Sequence, residues 1–237
     1  MTDRKSVNYS TFVRPTTKVV LFGEVTHNTT AFKQEFIIAL KALKALNFTH
    51  VGMEMFPSDL NENLKGYTTK GDYENSLTQH LQDYWDYVPQ AKQYIEIMKA
   101  AKKLNMQIIG LDMPYKDHDK HNCNEKKLEN CQTSSHAARN THMTEQIVKH
   151  VNKGAKIAAF MQYWHVRTRK TYEPGIKTLL QKKKLSPVFI SLVGGSTSPA
   201  FPTAIDAKKE QLEKTRFYVK GIGSDREDYI IHSPQLK

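Results

Sequence analysis

Four apolar stretches of the sequence end in, or contain, ionisable side chains. KVVLFGEVTH carries Glu24 and His27, and GMEMF places Glu54 between two methionines. Asp112 ends the run IIGLD, and His165 follows KIAAFMQYW. Imidazoles and carboxylates are the groups that enzymes use for general acid–base catalysis, and a glutamate beside a histidine can orient and charge its ring. These residues predict acid–base chemistry on a water molecule if the fold brings them together.

The pattern of apolar runs and helical stretches predicts how these residues are positioned. Runs bounded by turn residues alternate with segments of helical periodicity, which indicates βαβ units in one α/β domain spanning residues 1–237. We expect a mainly parallel sheet flanked by helices, with a core at about 18–195 and a short β tail at 215–232. Because the carboxyl ends of parallel strands face the same way, the site is predicted at those ends. The predicted strands are KVVLFGEV, HVGMEMF, QIIGLDMP, KIAAFMQYW, SPVFISLV, RFYVKG and DYIIH.

Helices are predicted between these strands. TTAFKQEFIIALKALKAL places Phe32, Phe36 and Leu40 on one apolar stripe, with Lys33 expected in solvent. Further helices are predicted at residues 89–104, in a segment that ends at about residue 152, and in a segment that begins near Pro174. The segment 57–88 is predicted to be a short, polar region that lies over the sheet edge. It contains the aromatic residues Tyr67, Tyr73, Tyr84, Trp85 and Tyr87.

The composition indicates an ordinary globular protein. At 237 residues with 39% apolar content, the chain contains no apolar run long enough to span a membrane. The amino-terminal residues lack the apolar region of a secretory signal, so a cytoplasmic location is predicted, with export by another route left open. Cys123 and Cys131 are too few for a disulfide scaffold and are expected to be free thiols.

The net charge of +11 could attract nucleic acid, anionic lipid or an anionic substrate. The basic residues are spread along the chain, with one short run at 182–184, and no nucleic-acid-binding signature accompanies them. We therefore expect a solvated basic face and no specific nucleic-acid partner. A non-catalytic module that binds an acidic partner is an alternative hypothesis.

Several motifs resemble those of one known superfamily. GEVTH, GMEMF, IIGLDMPY, ARNTHMTEQIVKHV and KIAAFMQYWHV occur in the order found in erythromycin esterase-like proteins and ChaN-like, Tiki-related proteins of haem-binding uptake. The resemblance covers roughly residues 18–180. It implies a small-molecule substrate or haem as the partner. It implies catalytic roles for Glu24, His27, Glu54 and His165, and we expect Arg139 and Asp112 to bind substrate.

The chain also departs from the motifs of this superfamily. Asn28 replaces a usual glycine and Asn140 a common aspartate, while Gln162 stands where the esterases have a histidine and the ChaN branch a glycine. These departures leave the choice between the two branches open.

The leading hypothesis is a hydrolase that activates water with the Glu/His cluster to attack a small ester, lactone or related substrate. Arg139 could hold an anionic group or stabilise an oxyanion. The chain lacks a Gly-X-Ser-X-Gly elbow, which argues against a serine triad. The alternative is a haem- or iron-binding protein without catalytic activity, in which tyrosine and histidine side chains would ligate the iron.

A divalent metal is a further open question. Two glutamates and two histidines, Glu24, Glu54, His27 and His165, would suit zinc, manganese or iron if they met at one point. A second group of potential ligands lies in a polar segment, but its spacings match no compact zinc motif. A solvated loop is the favoured interpretation of that segment, which contains His118, His121, Cys123, Cys131 and His136.

Overall fold

The computed structural model describes residues 6–85, 91–118, 128–168, 174–194, 217–220 and 228–233. Within these ranges, seven strands form one sheet. The strands are β1 (Val19–Glu24), β2 (His50–Pro57), β3 (Gln107–Asp112), β4 (Ile157–Gln162), β5 (Val188–Gly194), β6 (Phe217–Lys220) and β7 (Tyr229–Ser233).

The strand order in the sheet is β3-β2-β4-β1-β5-β7-β6. Every neighbouring pair is parallel except β6 and β7, which run antiparallel. The predicted α/β class and mainly parallel sheet are therefore confirmed. All seven strands lie where the apolar runs predicted them, and their ends differ by one or two residues.

Helices connect and flank the strands. They are α1 (Thr30–Ala45), α2 (Asn61–Lys70), α3 (Glu74–Trp85), α4 (Ala91–Lys103), α5 (Tyr115–His118), α6 (Leu128–Val151), α7 (Tyr163–Val166) and α8 (Ile176–Lys182). Single 3-10 turns occur at Tyr9–Thr11 and Ser58–Leu60. In the described part of the chain, no helix combines the length and apolar character needed to cross a bilayer.

The core lies between the sheet and its helices. All six residues of β1 are buried. The ring of Phe36 on α1 lies 5.0 Å from that of Phe22 on β1 and 4.7 Å from that of Phe160 on β4. Burying side chains of this size stabilises the fold by roughly 1.5–3 kcal/mol each. This packing fixes α1 and the two central strands relative to one another, and so fixes the strand ends.

The expectation that Lys33 lies in solvent was wrong. The side chain is fully buried, because Lys33 shares the buried face of α1 with Phe36 and Leu40, at spacings of three and seven residues. Its ammonium group pairs in the interior with the buried carboxylate of Glu24.

The segment after β2 contains two helices rather than only a short polar stretch. Gly71, at φ +87°, ends α2 in a left-handed conformation that glycine adopts without strain. On α3, Leu77, Leu81 and Trp85 are buried at four-residue spacing. Because α2 packs against the edge strand β3, the segment does lie at the sheet edge. Tyr87 lies outside the described residues.

Candidate functional site

The carboxyl ends of four adjacent strands carry the residues singled out by the sequence. Asp112 ends β3, Glu54 lies on β2, His165 lies on the short α7 that follows β4, and Glu24 ends β1. Glu24 is in register with Gln162, the last residue of β4. Since β3, β2, β4 and β1 are neighbours in that order, the site residues form a row along one edge of the sheet.

Local irregularities bring the side chains at this edge together. The pairing of β2 with β3 shifts between Met53 and Pro57, and Glu54 is the first residue of the shifted stretch. Such a bulge redirects side chains at a strand end. Gly23 lets α7 approach β1 closely, because a Cβ at this position would lie 3.0 Å from the Tyr163 Cα and 2.8 Å from the Phe189 ring.

The first group of site residues, here called the β1 group, consists of Glu24, His27, Lys33 and Tyr94. Glu24 is fully buried, and its Oε2 lies 2.5 Å from the Nζ of the fully buried Lys33. The Tyr94 hydroxyl donates to Glu24 Oε1 at 2.8 Å. Burial lowers the pKa of Lys33, while the charge and hydrogen bond of Glu24 act in the opposite direction. A buried carboxylate thus has an ammonium partner and a hydroxyl donor.

His27 is oriented by this buried carboxylate. Its Nδ1 lies 2.8 Å from Glu24 Oε1 and 3.1 Å from the Tyr94 hydroxyl. Because an ionised carboxylate only accepts hydrogen bonds, Nδ1 carries the proton and Nε2 keeps its lone pair. The side chain is 15% exposed, and Nε2 has no hydrogen-bond partner among the described residues. The imidazole is therefore arranged to accept a proton at Nε2.

The second group, here called the β2 group, consists of Glu54, Asp112, Arg139, Asn140 and His165. Arg139 donates two hydrogen bonds to Asp112, from Nε to Oδ1 at 2.8 Å and from Nη2 to Oδ2 at 2.7 Å. Its Nη2 also donates to Glu54 Oε1 at 3.0 Å. The backbone N–H of Gln162 donates to Glu54 Oε2 at 2.6 Å. One guanidinium is thus fixed between two buried carboxylates.

Charges in the β2 group shift two pKa values strongly. Burial alone would raise the pKa of Glu54, but His165, Arg139 and His27 together hold that pKa well below its ordinary value. Burial would lower the pKa of Arg139, whereas Asp112 and Glu54 raise it further above its ordinary range. Glu54 therefore stays ionised and Arg139 stays positive at neutral pH.

His165 is fully buried inside the β2 group. Its Nδ1 lies 2.6 Å from Asn140 Oδ1, and the Asn140 amide donates in turn to the Pro174 carbonyl. Its Nε2 lies 3.2 Å from Glu54 Oε1, but this pair does not meet the geometry of a hydrogen bond. The ring also stacks on His136, with centroids 5.0 Å apart. His165 thus lies in close contact with Glu54 in the interior.

The two groups meet at Glu54. When His27 in the β1 group or His165 in the β2 group is protonated, its positive charge lowers the pKa of this carboxylate. Among the described residues, His165 makes no hydrogen bond to Glu24 or His27, so the imidazoles are linked through Glu54. The structure therefore brings all six predicted site residues to one edge in two adjoining groups.

An aromatic ledge adjoins both groups, formed by Phe56, His80, Tyr84, Trp85 and Tyr115. The rings of Tyr84 and Tyr115 stack at 4.5 Å, and the Trp85 ring lies 5.1 Å from that of His27. Burial, and then the charge of Asp112, raise the pKa of Tyr115. Tyr84 is 52% exposed. The ledge places stacked aromatic rings beside the ionisable groups.

The described residues do not form a metal site. No group of three or more His, Cys, Asp or Glu side chains among them is arranged to hold an ion. The oxygens of Glu24 and Glu54 face Lys33, Arg139 and backbone or hydroxyl donors instead. Of the second predicted ligand set, His136 alone has a described side chain, and His118, His121, Cys123 and Cys131 fall outside the described side chains.

Sequence reasoning missed Lys33 and Tyr94 as members of the site. A signal existed for Lys33, since a lysine on the apolar stripe of α1 needs a buried partner. Tyr94 lies on the buried face of α4 with Ile97, Met98 and Ala101, and nothing in the sequence distinguishes it from a core tyrosine. Asn140 was noted as a departure from the motif, without a role.

The fold and the site together define an α/β protein with a Glu/His/Arg cluster at the carboxyl edge of a parallel sheet. Residues 15–120 match the family model for haem-binding uptake, Tiki superfamily, ChaN. The resemblance to this superfamily predicted from the sequence is therefore confirmed. No curated protein matches the chain.

Solved structures share the fold. A structure of ChaN from Campylobacter jejuni with cofacial heme binding has a TM-score of 0.58 and 16% identity, covering 92% of this chain and 88% of that one. An erythromycin esterase mutant, EreC in its open conformation, has a TM-score of 0.61 and 12% identity, covering 92% and 91%. The type III effector HopBA1 has a TM-score of 0.67 and 11% identity, covering 100% and 98%.

Proposed function

We propose that this protein is a hydrolase in which His27, held by Glu24, removes a proton from water that attacks a small ester or lactone. The observation that carries the proposal is the environment of His27. Its Nδ1 is fixed by a buried carboxylate, while Nε2 is without a partner among the described residues and the ring is partly exposed. General-base catalysis of this kind contributes about 10²–10⁴-fold in rate.

The proposed reaction conserves atoms and protons. His27 Nε2 takes a proton from water as the water oxygen bonds to the carbonyl carbon, and the carbonyl oxygen becomes an oxyanion. When the intermediate collapses, the bond to the leaving oxygen breaks and the imidazolium returns the proton to it. Lys33 and Glu24 keep the ring oriented throughout, so the products are an acid and an alcohol, or a hydroxy acid from a lactone.

Arg139 is the proposed group for the oxyanion or for an anionic part of the substrate. Its Nη2 and Nε are used by Asp112 and Glu54, and no described residue accepts a hydrogen bond from its Nη1. The side chain is 17% exposed. A fixed guanidinium needs little reorganisation to stabilise negative charge as it develops. We propose that Asp112 acts by positioning Arg139.

We propose positioning roles for Glu54 and His165 as well. His165 is fully buried, so it would act on substrate only through Glu54. Glu54 accepts a hydrogen bond from Arg139, lies 3.2 Å from His165 Nε2, and offsets the positive charge of either imidazole when it is protonated. The proposed catalytic groups are thus His27 as the base and Arg139 at the oxyanion, Glu24 positions His27, and the other predicted residues position Arg139.

The test is hydrolysis of a panel of nitrophenyl esters and lactones by the full chain. We expect turnover that falls by about 10²-fold or more in His27→Gln. His142→Gln is the matched control, because His142 hydrogen bonds to Ser58 and belongs to neither site group. Absence of turnover with the whole panel, or equal activity of the two variants, would reject the hydrolase proposal.

Haem binding is the second candidate function, and Tyr84 favours it. The matching family model and the ChaN structure both concern haem-binding proteins. Tyr84 is a half-exposed phenol stacked on Tyr115 in the aromatic ledge, and a tyrosine oxygen can ligate haem iron. If haem is bound, Tyr84 would hold the iron and the ledge would cover the macrocycle. The haem would then supply the redox or transport chemistry.

Titration with hemin separates this candidate from the first. A shifted Soret band that is lost in Tyr84→Phe and kept in Tyr73→Phe would support haem binding at the ledge. Tyr73 is a fair control because it is 51% exposed and lies immediately before α3, outside the ledge. Unchanged hemin spectra with the full chain would remove the candidate.

A further inference from the structure

A second cavity lies away from the site described above. It is near the amino ends of β2 and β3, between α2 and the last turn of α6, and its volume is about 340 Å³. The candidate active site occupies the opposite, carboxyl edge of the same strands. The cavity, here called the basic pocket, is lined by His50, Asn61, Glu62, Lys65, Gln107, Lys149, His150, Lys153 and Ala155.

The charges around this pocket are unbalanced. Lys65, Lys149 and Lys153 contribute three ammonium groups, and Glu62 is its one acidic lining residue. In the part of the chain that the structure describes, none of the three ammonium groups forms an ion pair or a hydrogen bond. Two of them lie near the end of α6, where its dipole favours cations, but Lys65 belongs to α2. The helix dipole of α6 therefore does not explain why all three lysines lie around this pocket.

Two imidazoles add further donors to the pocket. The rings of His50 and His150 lie 5.4 Å apart. Burial, and then the positive charges of His50, Lys149 and Lys153, lower the pKa of His150 to about 4. Burial also lowers the pKa of His50, against a hydrogen bond with Gln107. Both rings are therefore neutral at pH 7, and an anion in the pocket would raise the pKa of each ring.

We propose that the basic pocket binds a small molecule that carries a phosphate group. A phosphate dianion matches the surplus of positive charge, and lysine ammonium groups bind phosphate oxygens as point charges. The volume lies at the lower end of that of small-ligand pockets, which favours a compact metabolite over a large cofactor. This proposal is independent of the chemistry at the carboxyl edge.

Calorimetric titration of the full chain with inorganic pyrophosphate tests the proposal. We expect saturable binding that weakens by roughly tenfold or more in Lys65→Gln/Lys153→Gln, since each variant position removes a charged donor. Lys41→Gln/Lys103→Gln is the control, because it changes the net charge equally at exposed positions outside the pocket. Equal weakening in both double variants, or no saturable binding, would overturn the proposal.

Two additional measurements define the site and the source of the phosphate. In NMR titrations of the imidazole protons, pyrophosphate should raise the pKa of His150 from its low value, and an unchanged titration would contradict the proposal. The second measurement is binding of the protein to vesicles of phosphatidylcholine with phosphatidic acid. Vesicle binding lost in the pocket variant supports a lipid headgroup as the source, and pyrophosphate binding alone supports a soluble metabolite.

Discussion

The Nζ of Lys33 lies 2.5 Å from Oε2 of Glu24, and neither side chain is exposed to solvent. The same ammonium group also donates to the carbonyl oxygen of His27. A buried carboxylate without a cation would be strongly disfavoured as an anion. Lys33 therefore supplies the counter-charge to Glu24, the carboxylate that orients His27.

Replacing Lys33 with methionine should destabilise the fold and disable His27 together. We expect a loss of about 3–5 kcal/mol in the free energy of unfolding, because the variant leaves a buried charge without its partner. Without Lys33 the Glu24 side chain would no longer be held beside His27 Nδ1, so hydrolysis at neutral pH should also fall. Urea unfolding measures the first effect and steady-state kinetics the second. Lys41→Met, on the exposed face of α1, should change stability little, and equal stability of both variants would contradict this role of Lys33.

Glu54 should contribute stability that disappears in acid. Its folded pKa lies below its ordinary value of 4.5, so the contribution is fully present above that value and is lost as pH falls towards the folded pKa. Glu54→Gln should cost about 1–3 kcal/mol at neutral pH, and the difference from the parent should narrow towards about pH 3. Urea unfolding across this range checks the expectation. A Glu54→Leu variant more stable than the parent, with unchanged activity, would show a purely structural ion pair.

Arg139 should not tolerate replacement by lysine. A lysine ammonium cannot reproduce the two parallel hydrogen bonds to Asp112 and also contact Glu54. We expect Arg139→Lys to lose about 1–3 kcal/mol of stability and at least roughly tenfold in turnover. Arg167→Lys is the matched control, since Arg167 makes one hydrogen bond to the Tyr163 hydroxyl. Similar kinetics for the two variants would rule out a special role for the guanidinium at 139.

The strands and most helices were predictable because their signals are local. Continuous apolar runs such as VVLF and IAAF indicate buried parallel strands, and Glu24, Glu54, Asp112 and His165 were located because they stand where those runs end. The helices α2 and α3 were not predicted, because glycines and polar residues weaken their periodicity. Their stability comes from packing on β3 and on α4, which is a tertiary effect.

The partners within the site could not be predicted to the same extent. The hydrogen bond of Tyr94 to Glu24 joins residues 70 positions apart, and the spacing of the sequence carries no information about it. Glu54 lies within a shift in the pairing of β2 with β3, and the apolar run GMEMF gives no sign of that shift. Which imidazole is partly exposed, and therefore able to act on a substrate, follows from this geometry.

The protonation of the His27 ring tests the central claim most directly and needs no substrate. Long-range proton–nitrogen NMR spectra distinguish which ring nitrogen carries the hydrogen when the imidazole is neutral. The account predicts that Nδ1 is protonated and Nε2 is not, and that Glu24→Gln weakens this preference, because an amide can donate as well as accept. A neutral His27 with its proton on Nε2 in the parent protein would contradict the assignment of His27 as the base.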